Sequence, residues 1–137
     1  MGFETDLSVI KLAPDRWQIT KDFIYRTHLD SHPIKVDVPA GFITDFASVP
    51  RWPVAYWLTG NTAHRAAVIH DWLYDHGAPS LEGPPWLITR KQADLIFLNA
   101  MKDSGVPGWR RWTMYTAVRA AGGRPWRRYR VWDRADA

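Results

Sequence analysis

The hydrophobic periodicity of this chain changes once, near residue 45, and this change constrains the fold more than any other feature of the sequence. Before it, apolar and polar side chains alternate over short segments, which is typical of half-buried strands. After it, apolar side chains recur at the three- and four-residue spacing of amphipathic helices. We therefore predict an α+β fold in which an N-terminal antiparallel β-meander is followed by an antiparallel bundle of about three helices.

The strand-forming part contains four or five short segments rich in β-branched and aromatic residues. Residues that favour turns, such as Pro14-Asp15 and Lys21-Asp22, separate them. The predicted strands comprise residues 8–12, 16–19, 23–26, 34–38 and 42–44.

Capping residues define the predicted helices. The first spans residues 62–76 with Asn61 as its N-cap, and the second begins after the N-cap Thr89 and runs to about residue 103. The third spans residues 109–121 and stops at Gly122-Gly123.

A chain of 137 residues has the usual size of one domain. We predict a single domain, residues 1–137, with a β-rich part (1–45), a helical part (46–123) and a basic aromatic tail (124–137). Cysteine is absent, which excludes disulfides, thiolate metal ligands and thiol catalysis. Since the sequence has neither an apolar run of about 18 residues nor a signal-peptide pattern, we expect no transmembrane segment and a cytoplasmic location.

Two ionisable residues, His70 and Asp94, lie on the apolar stripes of successive predicted helices. Burial of an unpaired charge is costly, so each needs a partner. If the two helices pack through Ala66, Ala67 and Ala93, the imidazole can donate one N–H to the Asp94 carboxylate, and its other nitrogen can act as a base. A buried His-Asp pair that only joins two helices remains the alternative.

Asp71 points about 100° around the helix from His70 and must therefore face a different environment. A carboxylate there could bind a hard cation such as Ca²⁺, together with backbone carbonyl groups from residues 56–61.

The motif His70-Asp71-Trp72-Leu73-Tyr74, followed by Asp94, resembles the His-Asp-x-x-Tyr motif and distal Asp of phospholipase A2, in particular the cysteine-free type of parvovirus capsids. Tyr56, Gly60 and Asn61 match the first and last positions of that type's calcium loop, whereas Leu58 replaces an inner glycine. The resemblance implies that His70 is the base, Asp94 its orienting residue and Tyr74 a hydrogen-bonding support. It also implies that Asp71, with Tyr56 and Gly60, binds Ca²⁺.

A second resemblance covers nearly the whole chain. The segment 38–50, which contains Gly-Phe-Ile-Thr-Asp-Phe-Ala-Ser-Val-Pro, together with the segment 70–74 and Ala93-Asp94, is similar to a bacteriophage and prophage domain family without an assigned function. This resemblance implies a phage or prophage origin, and hence a location in the cytoplasm of the bacterial host or on the virion.

Other residues provide weaker alternatives. A Ser48-His70-Asp94 hydrolase triad is arithmetically possible, but no Gly-x-Ser-x-Gly elbow surrounds Ser48. Asp45 could be a metal ligand or a helix cap. The tail contains Arg127, Arg128 and Arg130 among aromatic residues. These arginines could contact nucleic acid or an anionic membrane. Alternatively, their aliphatic stems could pack over the aromatic rings at the edge of the core. We expect little nucleic-acid binding.

Together with the predicted contact between His70 and Asp94, the two resemblances imply a phage-encoded, phospholipase A2-like hydrolase in which a His-Asp dyad activates water with the help of a cation, acting on a phospholipid or another ester. The alternative is a non-enzymatic phage accessory or virion protein that binds a phage or host protein and in which the His-Asp pair is structural.

Overall fold

In the computed structural model, residues 2–13, 16–29, 32–44, 64–76 and 89–121 are described. Their strands precede their helices, which confirms the predicted α+β class. The elements are β1 (Gly2–Phe3), β2 (Val9–Ala13), β3 (Arg16–Ile19), β4 (Phe23–Leu29), β5 (His32–Val38), β6 (Ile43–Thr44), α1 (His64–His76), α2 (Arg90–Asp103) and α3 (Gly108–Ala121).

The strands form two antiparallel three-stranded sheets, with the orders β1-β4-β5 and β2-β3-β6, and not one continuous meander. In the hairpins β2–β3 and β4–β5, strands that are neighbours in sequence pair with each other, and β1 and β6 each add a third strand to one hairpin. The turn after β5 contains Gly41, whose φ of 99° suits glycine and directs the chain towards the second sheet. There the Phe42 carbonyl accepts a hydrogen bond from the Ile19 amide at 2.9 Å.

The core lies between the β4–β5 hairpin and the helices. Alternate residues of β4 are buried, Phe23 and Tyr25 completely, and α2 packs against β4, α1 and α3. The Tyr25 hydroxyl donates a hydrogen bond to Asp103 Oδ2 at 2.7 Å, which ties the end of α2 to the sheet. Helix α2 is therefore the central element of the helical part.

The start of α2 confirms the predicted N-cap. Thr89 Oγ1 accepts a hydrogen bond from the Gln92 amide at 3.1 Å, and Gln92 Oε1 accepts one from the Thr89 amide at 2.9 Å. This reciprocal pair is a capping box. The predicted caps at Asn61 and Gly122-Gly123 lie outside the described residues.

The three helices are antiparallel to their neighbours in sequence. The contacts between α1 and α2 run in opposite directions along the two helices. The His70 ring stacks on Phe97, and Tyr74, four residues after His70, contacts Asp94, three residues before Phe97. Arg119, near the end of α3, also reaches Asp94, near the start of α2. The predicted helical arrangement is thus confirmed. The single-domain assignment and its three-part division stay predictions.

Candidate active site

The candidate site is built around Asp94, a carboxylate with no solvent exposure in the first half of α2. Its Oδ1 lies 2.6 Å from His70 Nε2 and accepts a hydrogen bond from the Tyr74 hydroxyl, also at 2.6 Å. Its Oδ2 accepts a hydrogen bond from Arg119 Nη1 at 2.7 Å. One side chain of α2 therefore joins α1 and α3, and the predicted contact between His70 and Asp94 is confirmed.

Small residues allow the approach of α1 to α2. Ala66, Ala67 and Ala93 are fully buried, as the helical stripes predicted. His70 and Tyr74 are four residues apart and so lie on the same face of α1, from which both reach the carboxylate.

Aromatic side chains enclose the imidazole ring. The His70 ring centroid lies 4.2 Å from that of Tyr74 and 4.6 Å from that of Phe97, and the residue is 2% exposed. Such packing fixes the ring plane and leaves little rotational freedom at the site.

The hydrogen bonds determine the charge of Asp94. Burial alone would raise the pKa of this carboxyl, but the hydrogen bonds from His70, Tyr74 and Arg119 outweigh burial and hold its pKa below the usual range. Burial and the hydrogen bond to Asp94 raise the pKa of Tyr74 above its usual range, so its hydroxyl stays protonated and donates. Asp94 is therefore a carboxylate near neutral pH.

The contact between His70 Nε2 and Asp94 Oδ1 allows the imidazole to act as a base in one of its two neutral tautomers. A neutral His70 that donates through Nε2–H to Asp94 carries its basic lone pair on Nδ1. This is the tautomer that a general base requires.

Arg119 and Arg90 were missed as site residues by sequence reasoning. Arg119 was not singled out, because an arginine just before a basic tail has the pattern of a surface residue. Arg90 Nη2 donates a hydrogen bond to the Arg119 carbonyl at 3.2 Å. The charge of Arg90 and its hydrogen bond with Tyr74 act to lower the pKa of Tyr74, against the larger effects of burial and of Asp94.

Asp71 faces the second sheet, and its environment thus differs from that of His70, as its angular position on the helix predicted. Thr44, buried in β6, donates a hydrogen bond through Oγ1 to Asp71 Oδ2 at 2.5 Å. The next residue, Trp72, packs edge-on against Phe42 at a centroid distance of 5.2 Å. Asp71 and His70 therefore connect α1 to different parts of the molecule.

The fit of a cation to Asp71 depends largely on residues outside the described ranges. Within those ranges, no group of three or more His, Cys, Asp or Glu residues could hold a metal ion, and Asp71 contributes one carboxylate. The implied partners Tyr56 and Gly60 lie in the undescribed segment 45–63, as do the alternative residues Asp45 and Ser48. The tail residues Arg127, Arg128 and Arg130 also lie outside the described part.

A search of the described residues for membrane-spanning segments finds no helix long and apolar enough to cross a bilayer.

Comparison with known proteins identifies a family but no activity. No curated protein and no solved structure matches the chain. A family model described as "Protein of unknown function (DUF1353)" matches residues 17–118, which include β4, β5, α1 and α2 completely and most of β3 and α3. The match covers more than half of the chain, so this protein belongs to the DUF1353 family, a family of unknown function.

Proposed function

We propose that this protein is a phospholipase A2-like ester hydrolase in which His70 activates water. The observation that carries the proposal is the convergence of His70 Nε2 and the Tyr74 hydroxyl on Asp94 Oδ1, each at 2.6 Å. The phospholipase resemblance assigned these three residues as base, support and orienting carboxylate from sequence alone.

The proposed chemistry starts at His70 Nδ1. This nitrogen takes a proton from water, the resulting hydroxide attacks the ester carbonyl, and the tetrahedral intermediate collapses with loss of an alkoxide. The alkoxide takes the proton back from the imidazolium, so the base is regenerated. Asp94 stabilises the imidazolium through Nε2–H, and Tyr74 and Arg119 keep the carboxylate oriented and ionised.

A Ca²⁺ ion is part of the proposal. Asp71, with the carbonyl groups of Tyr56 and Gly60, would hold it, and a cation in this place supplies positive charge for the ester oxyanion. The bacteriophage or prophage setting, with a location in the host cytoplasm or on the virion, belongs to the same proposal.

A non-enzymatic role is the second candidate, and the burial of the pair favours it. His70 is 2% exposed, its ring stacks on Phe97 and contacts the tilted ring of Tyr74, and the Asp94 cluster joins all three described helices. In that case the cluster of Asp94, His70, Tyr74 and Arg119 only stabilises the packing of the helices. The protein would be a phage accessory or virion protein that binds a phage or host protein through another surface.

The test is ester release from anionic phospholipid vesicles by the full chain, measured with Ca²⁺ and with a chelator. We expect Ca²⁺-dependent hydrolysis that falls by about 10²–10⁴-fold in His70→Gln. The matched control is His28→Gln, because His28 is an exposed histidine on β4 and should leave the rate unchanged.

Thermal melts of the same variants separate the two candidates. Absence of hydrolysis by the wild type with any divalent cation, combined with a lower melting temperature of His70→Gln, would overturn the hydrolase proposal and support the structural role. The wild-type arm does not depend on whether the variant folds.

A further inference from the structure

Helix α3 exposes a face without charged side chains. Its exposed residues, which we call the α3 outer face, are Trp109, Trp112, Thr113, Thr116, Ala117 and Ala120. The two tryptophans are 57% and 54% exposed. A surface helix ordinarily presents charged residues on the side away from the core, so this face is unusual for one that meets only water.

The two threonines add little polarity to this face. Thr113 Oγ1 donates to the Trp109 carbonyl at 2.7 Å, and Thr116 Oγ1 donates to the Trp112 carbonyl at 2.9 Å. Both hydroxyl protons are thereby used within the helix, which leaves mainly the methyl groups and the indole rings to meet a partner.

The apolar face belongs to a part of the sequence that is rich in arginine. Helix α3 contains three arginines and no acidic residue, and the guanidinium of Arg110 lies 5.1 Å from the centroid of the Trp109 ring. From residue 108 onwards the sequence contains eight arginines, two aspartates and no other charged side chain, a net charge of +6, whereas residues 1–107 have ten basic and twelve acidic residues. The basic character of the chain is thus concentrated around and after α3.

We propose that the α3 outer face docks onto an anionic lipid membrane. Tryptophan prefers the level of the lipid headgroups, where its ring is buried and its N–H remains hydrated, and neighbouring arginines attract anionic headgroups. Nucleic acid fits less well, because phosphate contacts require cationic side chains on the contact face itself, and none lies there. A second copy fits less well, because it would bring two strongly basic regions together. The proposal does not depend on the hydrolase activity.

The experiment is co-sedimentation of the full chain with vesicles of phosphatidylglycerol and phosphatidylcholine, and with vesicles of phosphatidylcholine alone. We expect the protein to bind the anionic vesicles, and we expect high salt to weaken this binding. The double variant Trp109→Ser/Trp112→Ser should partition at least roughly tenfold more weakly, because it lacks the two rings that would be buried in the membrane. Serine and tryptophan have similar helix propensities, so the helix itself should persist.

The matched control is Ile10→Ser/Leu12→Ser, which removes two apolar side chains of similar exposure, 54% and 50%, from β2. It should bind like the wild type. Absence of binding to anionic vesicles, or equal losses in both double variants, would overturn the proposal. Tryptophan-dependent binding to duplex DNA without vesicle binding, or a tryptophan-dependent dimer in sedimentation velocity, would assign the face to nucleic acid or to a second copy instead.

Discussion

Replacing Asp94 by Asn removes the charge at the centre of the helical cluster while keeping the side chain's size. The carboxylate accepts from three donors, and the amide oxygen of Asn can replace one carboxylate oxygen. If that oxygen accepts the hydrogen bonds from His70 and Tyr74, the amide nitrogen faces the Arg119 guanidinium. Both of these groups are donors, so no hydrogen bond forms between them. The variant therefore loses the ion pair to Arg119 wherever it keeps the contacts to α1.

The magnitude follows from burial. Removing one partner of a buried ion pair costs about 3–5 kcal/mol. Asp94 is fully buried, but the Arg119 side chain is 31% exposed and water can solvate it in part. We therefore expect a loss of about 3 kcal/mol, at the lower end of that range. This is a large fraction of the roughly 5–15 kcal/mol typical of a domain.

The assay is equilibrium urea unfolding at neutral pH, followed by far-ultraviolet circular dichroism. The matched control is Asp103→Asn, the same chemical change in the same helix at an exposed position, where the amide oxygen can still accept from Tyr25. We expect the control to lose less than about 1 kcal/mol. Equal losses in the two variants, or a loss below about 1 kcal/mol for Asp94→Asn, would refute the reasoning.

Three further predictions concern the same part of the molecule. The pKa of Asp94 is lower in the folded state than its unfolded value of 3.8, so the stability contributed by this group is complete above pH 3.8 and is lost as the pH falls through the folded pKa. Urea unfolding at a series of acid pH values should therefore show a decrease in the free energy of unfolding that is absent from Asp94→Asn. Tyr74→Phe deletes one donor to Asp94 and should cost about 1–2 kcal/mol in the same unfolding assay, and no measurable cost would contradict its supporting role. Thr89→Ala removes the N-cap of α2 and should cost about 1 kcal/mol, whereas Thr113→Ala, at a helical position that caps nothing, should cost much less.

Local patterns were sufficient to predict the helices and most strands. The stripe of α2 and the box formed by Thr89 and Gln92 are short-range signals, and the alternation of β4 is equally local. The two residues of β1 are too few to show a period, so this strand was missed. The division into two sheets depends on pairings between strands far apart in sequence, which alternation alone does not specify.

For the candidate site, too, local patterns predicted some contacts, whereas contacts between residues far apart in sequence could not be predicted. The cost of burying an unpaired charge was enough to predict that His70 and Asp94 meet, because each lay on an apolar stripe. Arg119 could not be predicted as the third partner, since an arginine in a basic region has the pattern of a surface residue. The contact of Asp71 with Thr44 joins a helix to a strand 27 residues earlier, and helical geometry predicted only that Asp71 faces away from Asp94.

The tautomer of His70 tests the central claim, that this ring donates through Nε2–H to Asp94 and acts as a base through Nδ1. The measurement is a long-range ¹H–¹⁵N NMR spectrum of the histidine side chains at neutral pH, with His70 assigned by its absence in His70→Gln. We predict a protonated Nε2 and an unprotonated Nδ1. A ring that is protonated on Nδ1, alone or together with Nε2, would contradict the claim, because it would have no lone pair at the nitrogen that must accept a proton from water.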